Sequence, residues 1–585
     1  MRPSNFNRVT MRRKNLLSWL IVLCLGIIGT VQYHLAQFSS RFDSFFGDRG
    51  DPRGIVYFCE HWYQGLLGKA NLLSPGLFYP TKGTLAYSDL LVGYAIPYSL
   101  LRGLGFEMFS AMEIVIIGLT FLGYLTCFLL LNRALHFKLL PSCAGAMFFA
   151  FSSPKFFQLI HLQLQFVVCL PLIFLLIILL AQEWATLTQM RAFALLSLSG
   201  LAFNIQLLTA FYPGWFFSLW CFLFLILALL FQPSRRFIFL LARKFWPAIP
   251  ISAATFLLGA IPFMLVYLPR ANAQNWYTYS NVKEMIPEWW SLLSMGDGNY
   301  TWGWLASIVR PKPAPTYWAE LTIGIGVITS LAWIGITIFG LWTVVKTLTA
   351  RSAKKGNEDR IESRCVYLLF LGLMILGTTL FYCIGMKYGN GHSLWKHVYH
   401  YFPGAKAIRA MSRYVIFLTL PMAIGFAYVL DYAIKRVSAR KASLARSALI
   451  FGLLALAAVG VFEQFGTFKV GGTGFSKKAE TAYLNAMAAK LDGKCAAFYV
   501  AARPDDHHGA AEYQYDAMMI AVMTQIPTLN GTSSQFPPDW FGLYEVKDPA
   551  YETNVRKWIE RNEIKGNICR LELSPPVESF SGNAQ

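Results

Sequence analysis

The residues most capable of chemistry sit in a few polar stretches between long apolar runs. The first reads Phe45-Phe-Gly-Asp-Arg-Gly-Asp-Pro-Arg-Gly54 and continues into Cys59-Glu-His-Trp62, bringing Asp48, Asp51, Glu60 and His61 close together. An acid held near lipid is desolvated, gains proton affinity and can serve as a general base. The same Asp-Gly and Asp-Pro pairs also suit a turn capping a helix that runs from Ile55. A second stretch, from Ser152 to Gln165, offers Lys155, His161, Gln163 and Gln165 beside apolar neighbours. His161 is a candidate for catalysis or a metal site, against the plainer reading of a satisfied interfacial histidine. A third stretch, from Pro403, sets Lys406, Arg409 and Arg413 just before an apolar run. Arginine at that height can grip a phosphate through two parallel hydrogen bonds, or simply anchor to lipid headgroups. Glu113 lies inside an apolar run, where a charge is costly and asks for a functional reason.

Other stretches carry weaker signals. Trp276, Trp289, Trp290, Trp302 and Trp304 crowd one loop with Lys283, Glu284 and Glu288; such rings stack on sugars or form an ordinary aromatic belt. His397 and His400 are one helical turn apart, a spacing that suits a metal, but no third ligand accompanies them. The stretch Gly76-Leu-Phe-Tyr-Pro-Thr-Lys-Gly83 reads as a headgroup-level anchor, and Asp505-Asp-His-His508 as a solvated charge run.

These groups need a scaffold, and composition indicates its kind. Of 585 residues 55% are hydrophobic and 14% charged, with aromatics at 16%. Soluble proteins carry about 25% charged residues, so the composition argues against a cytosolic globular enzyme. The aromatic content excludes a disordered chain. Mean hydropathy is +0.44, which fits a polytopic membrane protein. Apolar runs at 16–35, 107–132, 138–153, 165–182, 192–211, 213–232, 247–268, 319–345, 365–385, 412–434 and 446–464 give about eleven spans.

Charge orients them. Arg2, Arg8, Arg12, Arg13 and Lys14 precede the first run, which has no small-x-small cleavage site, so it reads as an uncleaved anchor with a cytoplasmic N-terminus. The segment 85–101 is ambiguous. If it crossed, the basic clusters near 133–138, 235–244, 346–364 and 435–446 would all face outward; it is therefore read as interfacial or re-entrant, with Ser88, Asp89 and Pro97 in keeping. The net charge of +20 then reads as a topology signal, and nucleic acid is not an expected partner. Outer loops follow at 38–106, 154–164, 269–318 and 386–411. Residues 1–464 form the membrane domain and 465–585 an extracytoplasmic tail. In the tail, helices at 479–491, 511–524 and 551–563 and strands at 495–502 and 567–573 predict a small α/β domain. Cys495 and Cys569 each open a strand, and a disulfide between them suits an oxidising compartment.

The sequence holds no GxxxxGK[ST], HExxH, zinc-finger spacing or GxSxG. Transport remains, or chemistry on a lipid-linked substrate at the outer interface. In its layout the chain resembles the GT-C class of polytopic glycosyltransferases, which use polyprenyl-phosphate sugars. The likeness rests on a cytoplasmic start, a long first outer loop with an early acid (Asp48 or Asp51), an interfacial helix, a short polar second outer loop and a C-terminal soluble domain. Gly50-Asp51-Pro52, Phe78-Tyr-Pro-x-x-Gly83, Pro154 with His161, and Pro403 with Arg409 and Arg413 are similar to a bacterial branch of that class. So are Asp516-Ala-Met and Leu529-Asn-Gly-Thr-Ser-Ser-x-x-Pro-Pro-Asp-Trp540. In one respect the chain departs: many GT-C enzymes carry an acid in the second outer loop, where this chain has His161. That puts a two-carboxylate metal site in doubt, and leaves Mg or Mn as an option with no cofactor certain.

The resemblance implies an all-α membrane protein of the inner membrane that transfers a sugar to a glycan, lipid or protein acceptor at its outer face. Asp51 (or Asp48) would take the acceptor proton, with His161 beside it. Arg409, Arg413 and Lys155 would hold the donor phosphate. Glu60, His61, Glu113, Trp289 and Trp290 are further cavity candidates. A transporter or lipid flippase, or a non-catalytic assembly protein of the envelope, is the alternative reading.

Overall fold

A backbone that crosses lipid must satisfy its own N–H and C=O groups, so the apolar runs form helices. The computed structural model describes residues 5–271, 277–352, 363–467, 474–491, 493–503 and 509–573. Among the described residues, ten helical stretches are long and apolar enough to cross a membrane, from Leu16–Tyr33 to Leu444–Phe462. The chain is a multi-pass membrane protein.

The expected span at 138–153 is shorter than required. It is the helix Leu139–Ala150, of 12 residues, and at about 1.5 Å per residue it cannot bridge some 30 Å of hydrocarbon. It still brings the chain to the face that carries the polar loops, because Ser153 and His161 follow it there. Helices Met108–Leu129 and Tyr414–Ser438 pack against it and bury most of its residues, so protein rather than lipid surrounds it. The ambiguous segment is the helix Val92–Gly103, with Pro97 inside it, which packs on helices Asp51–Leu66 and Met108–Leu129 and does not span.

The tail contains helices Lys477–Ala488, Ala510–Thr524 and Tyr551–Arg561 and two strands, Ala497–Ala501 and Ile568–Glu572. The strands pair in parallel with Ala497 opposite Ile568. Cys495 and Cys569 are disulfide-bonded, their Cα atoms 5.7 Å apart. The tail does not stand apart from the membrane part, because one continuous apolar core runs through both. The stretch expected as a headgroup anchor pairs with it instead. Phe78 N–H donates to Asn530 O (3.0 Å), Tyr79 N–H to Thr528 O (2.9 Å) and Thr528 N–H to Gly76 O (2.8 Å). Phe78 is fully buried, its ring 4.7 Å from that of Trp540.

A charge network fastens the same interface. Arg53 Nη1 donates to Glu480 Oε1 (2.8 Å) and to Asp516 Oδ1, while Arg49 Nε donates to Glu480 Oε2 (2.9 Å). Tyr483 Oη donates to Asp516 Oδ2 at 2.6 Å. All four charged side chains are buried. Charges so enclosed persist only because each answers another, and removal of one leaves its partners stranded. Lys477 Nζ reaches Glu113 within the span Met108–Ala134 and adds a tie from the tail into the membrane part.

Candidate functional site

Five segments distant in sequence converge beside this fastened interface. Asp51 opens helix Asp51–Leu66, where Pro52 sits in the first turn and needs no N–H partner. His161 immediately precedes the short helix Leu162–Gln165. Glu320 lies in the turn ahead of helix Val327–Ser352, Arg413 ends the turn before Tyr414–Ser438, and Tyr515 lies in Ala510–Thr524.

His161 bridges two carboxylates: Nδ1 is 2.7 Å from Asp51 Oδ2 and Nε2 is 2.9 Å from Glu320 Oε1. Ionised carboxylates only accept, so both ring nitrogens donate and the imidazole is cationic. Arg413 forks onto Glu320, with Nε 3.1 Å from Oε2 and Nη2 2.5 Å from Oε1. Its guanidinium also lies over the Tyr212 ring. Tyr515 Oη donates to Asp51 Oδ1 at 2.5 Å. Gly54 makes room for that tyrosine: a Cβ there would come within 2.8 Å of its ring.

The cluster thus alternates in charge: Asp51, His161, Glu320, Arg413. Burial alone would raise the Asp51 carboxyl, but hydrogen bonds from His161 and Tyr515 and the nearby positive charges take it down to about 2. Burial works the same way on Glu320, and Arg413 and His161 outweigh it, holding the acid well below its usual range. For His161, burial and Arg413 push down, yet the bonds to Asp51 and Glu320 prevail and raise it. Access differs sharply. Asp51 keeps 46% of its side-chain surface open, against 14% for His161 and 15% for Glu320. Asp51 is the member an incoming molecule meets first.

Of the anticipated residues, Asp51, His161 and Arg413 come together, and the rest lie elsewhere. Asp48 is exposed and accepts the Gly50 N–H in a turn. Glu60 is buried under Tyr98 (2.6 Å) and Arg102 (2.7 Å), joining two helices of the first loop. His61 bonds the Leu72 carbonyl at 3.1 Å. Glu113 is taken by Lys477. Lys155 is buried with its ammonium over the Tyr33 ring, and burial lowers its pKa to about 7. Trp289 is exposed and Trp290 buried. Arg409 is exposed and lies over the Tyr277 ring. His400 packs on Tyr279 and Tyr399. Trp276 and the 505–508 stretch fall outside the described residues.

Glu320 and Tyr515 were not anticipated. Glu320 was counted into an apolar run, although a lone acid at a span's edge is itself a signal. No local pattern marks Tyr515.

A divalent cation would need donors aimed at one point. Here both imidazole nitrogens and the facing carboxylate oxygens are spent on each other, and Arg413 occupies Glu320. Among the described residues no three His, Cys, Asp or Glu side chains are grouped to hold a metal. The residues in this arrangement do not fit one.

Among solved structures, the chain is similar to the archaeal oligosaccharyltransferase AglB of Archaeoglobus fulgidus, determined with an inhibitory peptide and a dolichol-phosphate. The match has a TM-score of 0.51 at 11% identity, over 93% of this chain and 68% of that one. The chain has a GT-C-type fold. ArnT of Cupriavidus metallidurans aligns over 90% of this chain and 87% of its own in the apo state, at 10% identity and a TM-score of 0.33. With undecaprenyl phosphate bound it aligns over 88% and 85%, at 10% identity and 0.29. Those scores add nothing to the assignment. No protein-family model and no curated protein sequence matches the chain.

Proposed function

We propose that this GT-C-type protein is a membrane glycosyltransferase. In this reading it moves a sugar from a polyprenyl-phosphate donor to a hydroxyl-bearing acceptor, at the extracytoplasmic face of the inner membrane. The observation that carries the proposal is the half-open Asp51 at the head of the chain through His161 and Glu320 to Arg413. The acceptor oxygen bonds to the anomeric carbon as the bond from that carbon to the phosphate oxygen breaks, its electron pair leaving with the phosphate. The carbon passes through an oxocarbenium-like state. The attacking hydroxyl becomes acidic only as its new bond forms, so a carboxylate held as low as Asp51 suffices to receive the proton.

Arg413 is committed to Glu320, and its part is to fix that acid against His161. Arg409 has no ion-pair partner among the described residues and is open, so it is the better group for the departing phosphate. Lys155, enclosed under Tyr33, is not placed for that task.

The test is transfer from radiolabelled polyprenyl-phosphate sugars by the purified full chain. Asp51→Asn and Arg409→Ala should each lose it, Arg409→Ala mainly through donor KM. Wild type and variants alike without transfer, while vesicles show movement of the lipid, would replace the enzyme by a transporter.

A further inference from the structure

The loop before helix Val327–Ser352 and the loop before Arg413 lie side by side. Lys387 N–H donates to Pro287 O (2.7 Å), and Ser412 N–H to Met285 O (3.1 Å). Both loops line a cleft of about 560 Å³, a size within the roughly 300–1,000 Å³ of small-ligand sites. Its walls carry Lys283, His392, Lys396 and His397. Gly391 makes room for the first of these. Its φ of +73° suits glycine, and a Cβ there would come within 3.0 Å of the Lys283 ammonium nitrogen. None of the four side chains has a hydrogen bond or ion pair among the described residues, so their N–H groups are available to a guest. Glu284 and Glu288 stand on the same loop as Lys283, but neither lines the cleft; Glu284 is exposed and Glu288 pairs with Lys387 at 2.8 Å. The neighbouring stretch outside the described residues, 272–276, holds no acid.

Depth is the second observation. Tyr388 follows the span Cys365–Ile384 closely in the chain, and both Tyr388 and Leu394 line the cleft with about half their surfaces open, 48% and 50%. Tyr401, in the helix Trp395–Tyr401 that carries Lys396 and His397, is 84% exposed. Tyrosine and leucine so open beside lysines mark the height of lipid headgroups. The positive-inside rule disfavours lysines on the face read as extracytoplasmic, so topology does not account for these.

We propose that the cleft holds the phosphate of one anionic phospholipid of the bilayer, bonded by Lys283, Lys396 and the two imidazoles, with Leu394 against its acyl chains. The phosphate of a sugar donor has a separate place. Tyr279, on the cleft wall, packs against Tyr399 with ring centroids 5.3 Å apart. Tyr399 Oη donates to Tyr277 O (2.7 Å), and Arg409 lies beyond them, over the Tyr277 ring. Neither Arg409 nor any member of the Asp51 cluster lines the cleft. The assignment does not depend on the transferase reading.

The full chain in a neutral detergent is followed by native mass spectrometry, with phosphatidylglycerol, phosphatidylcholine of the same acyl chains and undecaprenyl phosphate added in turn. One phosphatidylglycerol should bind about fivefold or more tightly than phosphatidylcholine. Lys283→Gln combined with Lys396→Gln should weaken it about tenfold. The thermal midpoint should stay where it is, because neither lysine is buried. Lys69→Gln, at an exposed lysine of the first loop, should leave the affinity unchanged. Equal affinity for the two phospholipids, no loss in the double variant, or the same loss in Lys69→Gln overturns the assignment. Displacement of the lipid by inorganic phosphate would make the site one for a free anion and overturn it too. So would a preference of about tenfold for undecaprenyl phosphate that the double variant loses, since the cleft would then belong to the donor. Absence of transfer in every protein would remove the transferase and leave this result standing.

Discussion

Two networks of alternating charge hang from one short loop, and they differ chiefly in access to water. Arg49 and Arg53 meet Glu480 and Asp516 in an enclosure where none of the four is more than 6% exposed. Asp51, on the same loop, meets His161, Glu320 and Arg413 with nearly half its own surface open. The tail touches both with consecutive residues: Asp516 binds the arginines and Tyr515 binds Asp51. The comparison teaches that similar residue types serve opposite ends. Enclosed, the charges can only fasten. Left open at one end, they hold a carboxylate ready at a fixed place. The closed network sets the geometry of the open one, because Arg53 and Asp51 lie within one turn of the same helix.

The comparison breaks most severely at Arg53. Arg53→Met removes the guanidinium and leaves Glu480 and Asp516 enclosed without it, which should cost about 3–5 kcal/mol of stability. A lower thermal midpoint and rapid proteolysis between the tail and the membrane part would show it, and Asp51-dependent transfer should fall with them. An unchanged midpoint would mean that the closed network fastens nothing.

Asp51→Asn should do the reverse. Transfer should drop about 10²-fold or more, while stability moves by less than about 1 kcal/mol, since the open end is screened by water. A large loss of stability would erase the distinction between the two networks.

Acidity sharpens it further. The His161 imidazole is raised above its unfolded value of about 6.5, so its contribution is whole below that value and disappears as pH rises through the folded one. Asp51 is lowered to about 2, so its contribution is whole above about 4 and fades as pH falls from there toward about 2. Lys155 has the opposite sign to His161 on the alkaline side: held down to about 7 by burial, it burdens the fold when charged and less as pH rises. Wild-type melting alone mixes the two. The difference between wild type and His161→Gln isolates the imidazole and should shrink as pH rises above about 6.5. A difference independent of pH would mean that His161 is neutral in the cluster.

Much of this frame was legible in the sequence because a membrane imposes a simple code: long apolar runs, basic flanks, polar loops. The helix Leu139–Ala150 breaks that code because surrounding helices, not lipid, meet it, so its apolar stretch could be shorter than a span. Asp51, His161 and Arg413 were legible one at a time as polar residues beside apolar walls. Their partnership was not, since His161 and Asp51 are 110 positions apart and no local pattern encodes such a meeting. Glu320 hid inside a span reckoned only by hydropathy. Arg409 and Arg413, alike in sequence, separate in space because Arg413 opens a buried helix while Arg409 stays on the surface over Tyr277.

The smallest change examines the join between the networks. Tyr515→Phe deletes one hydroxyl that bonds Asp51 Oδ1 and leaves the ring packed beside Gly54. A hydrogen bond to a charged group contributes about 1.5–3 kcal/mol when enclosed, but Asp51 is half open and water can replace the hydroxyl, so the loss should be well under about 1 kcal/mol. Stability should therefore barely move. The acid limb of the activity profile should move more: with one bond to its charged form gone, Asp51 ionises at higher pH, and the limb shifts upward. Transfer at neutral pH should fall less than about tenfold, chiefly in kcat, because Asp51 is still ionised but less firmly aimed. If Tyr515→Phe destabilised the protein as Arg53→Met does, with no shift of the limb, the tyrosine would belong to the closed network and the tail would have no hand in placing Asp51.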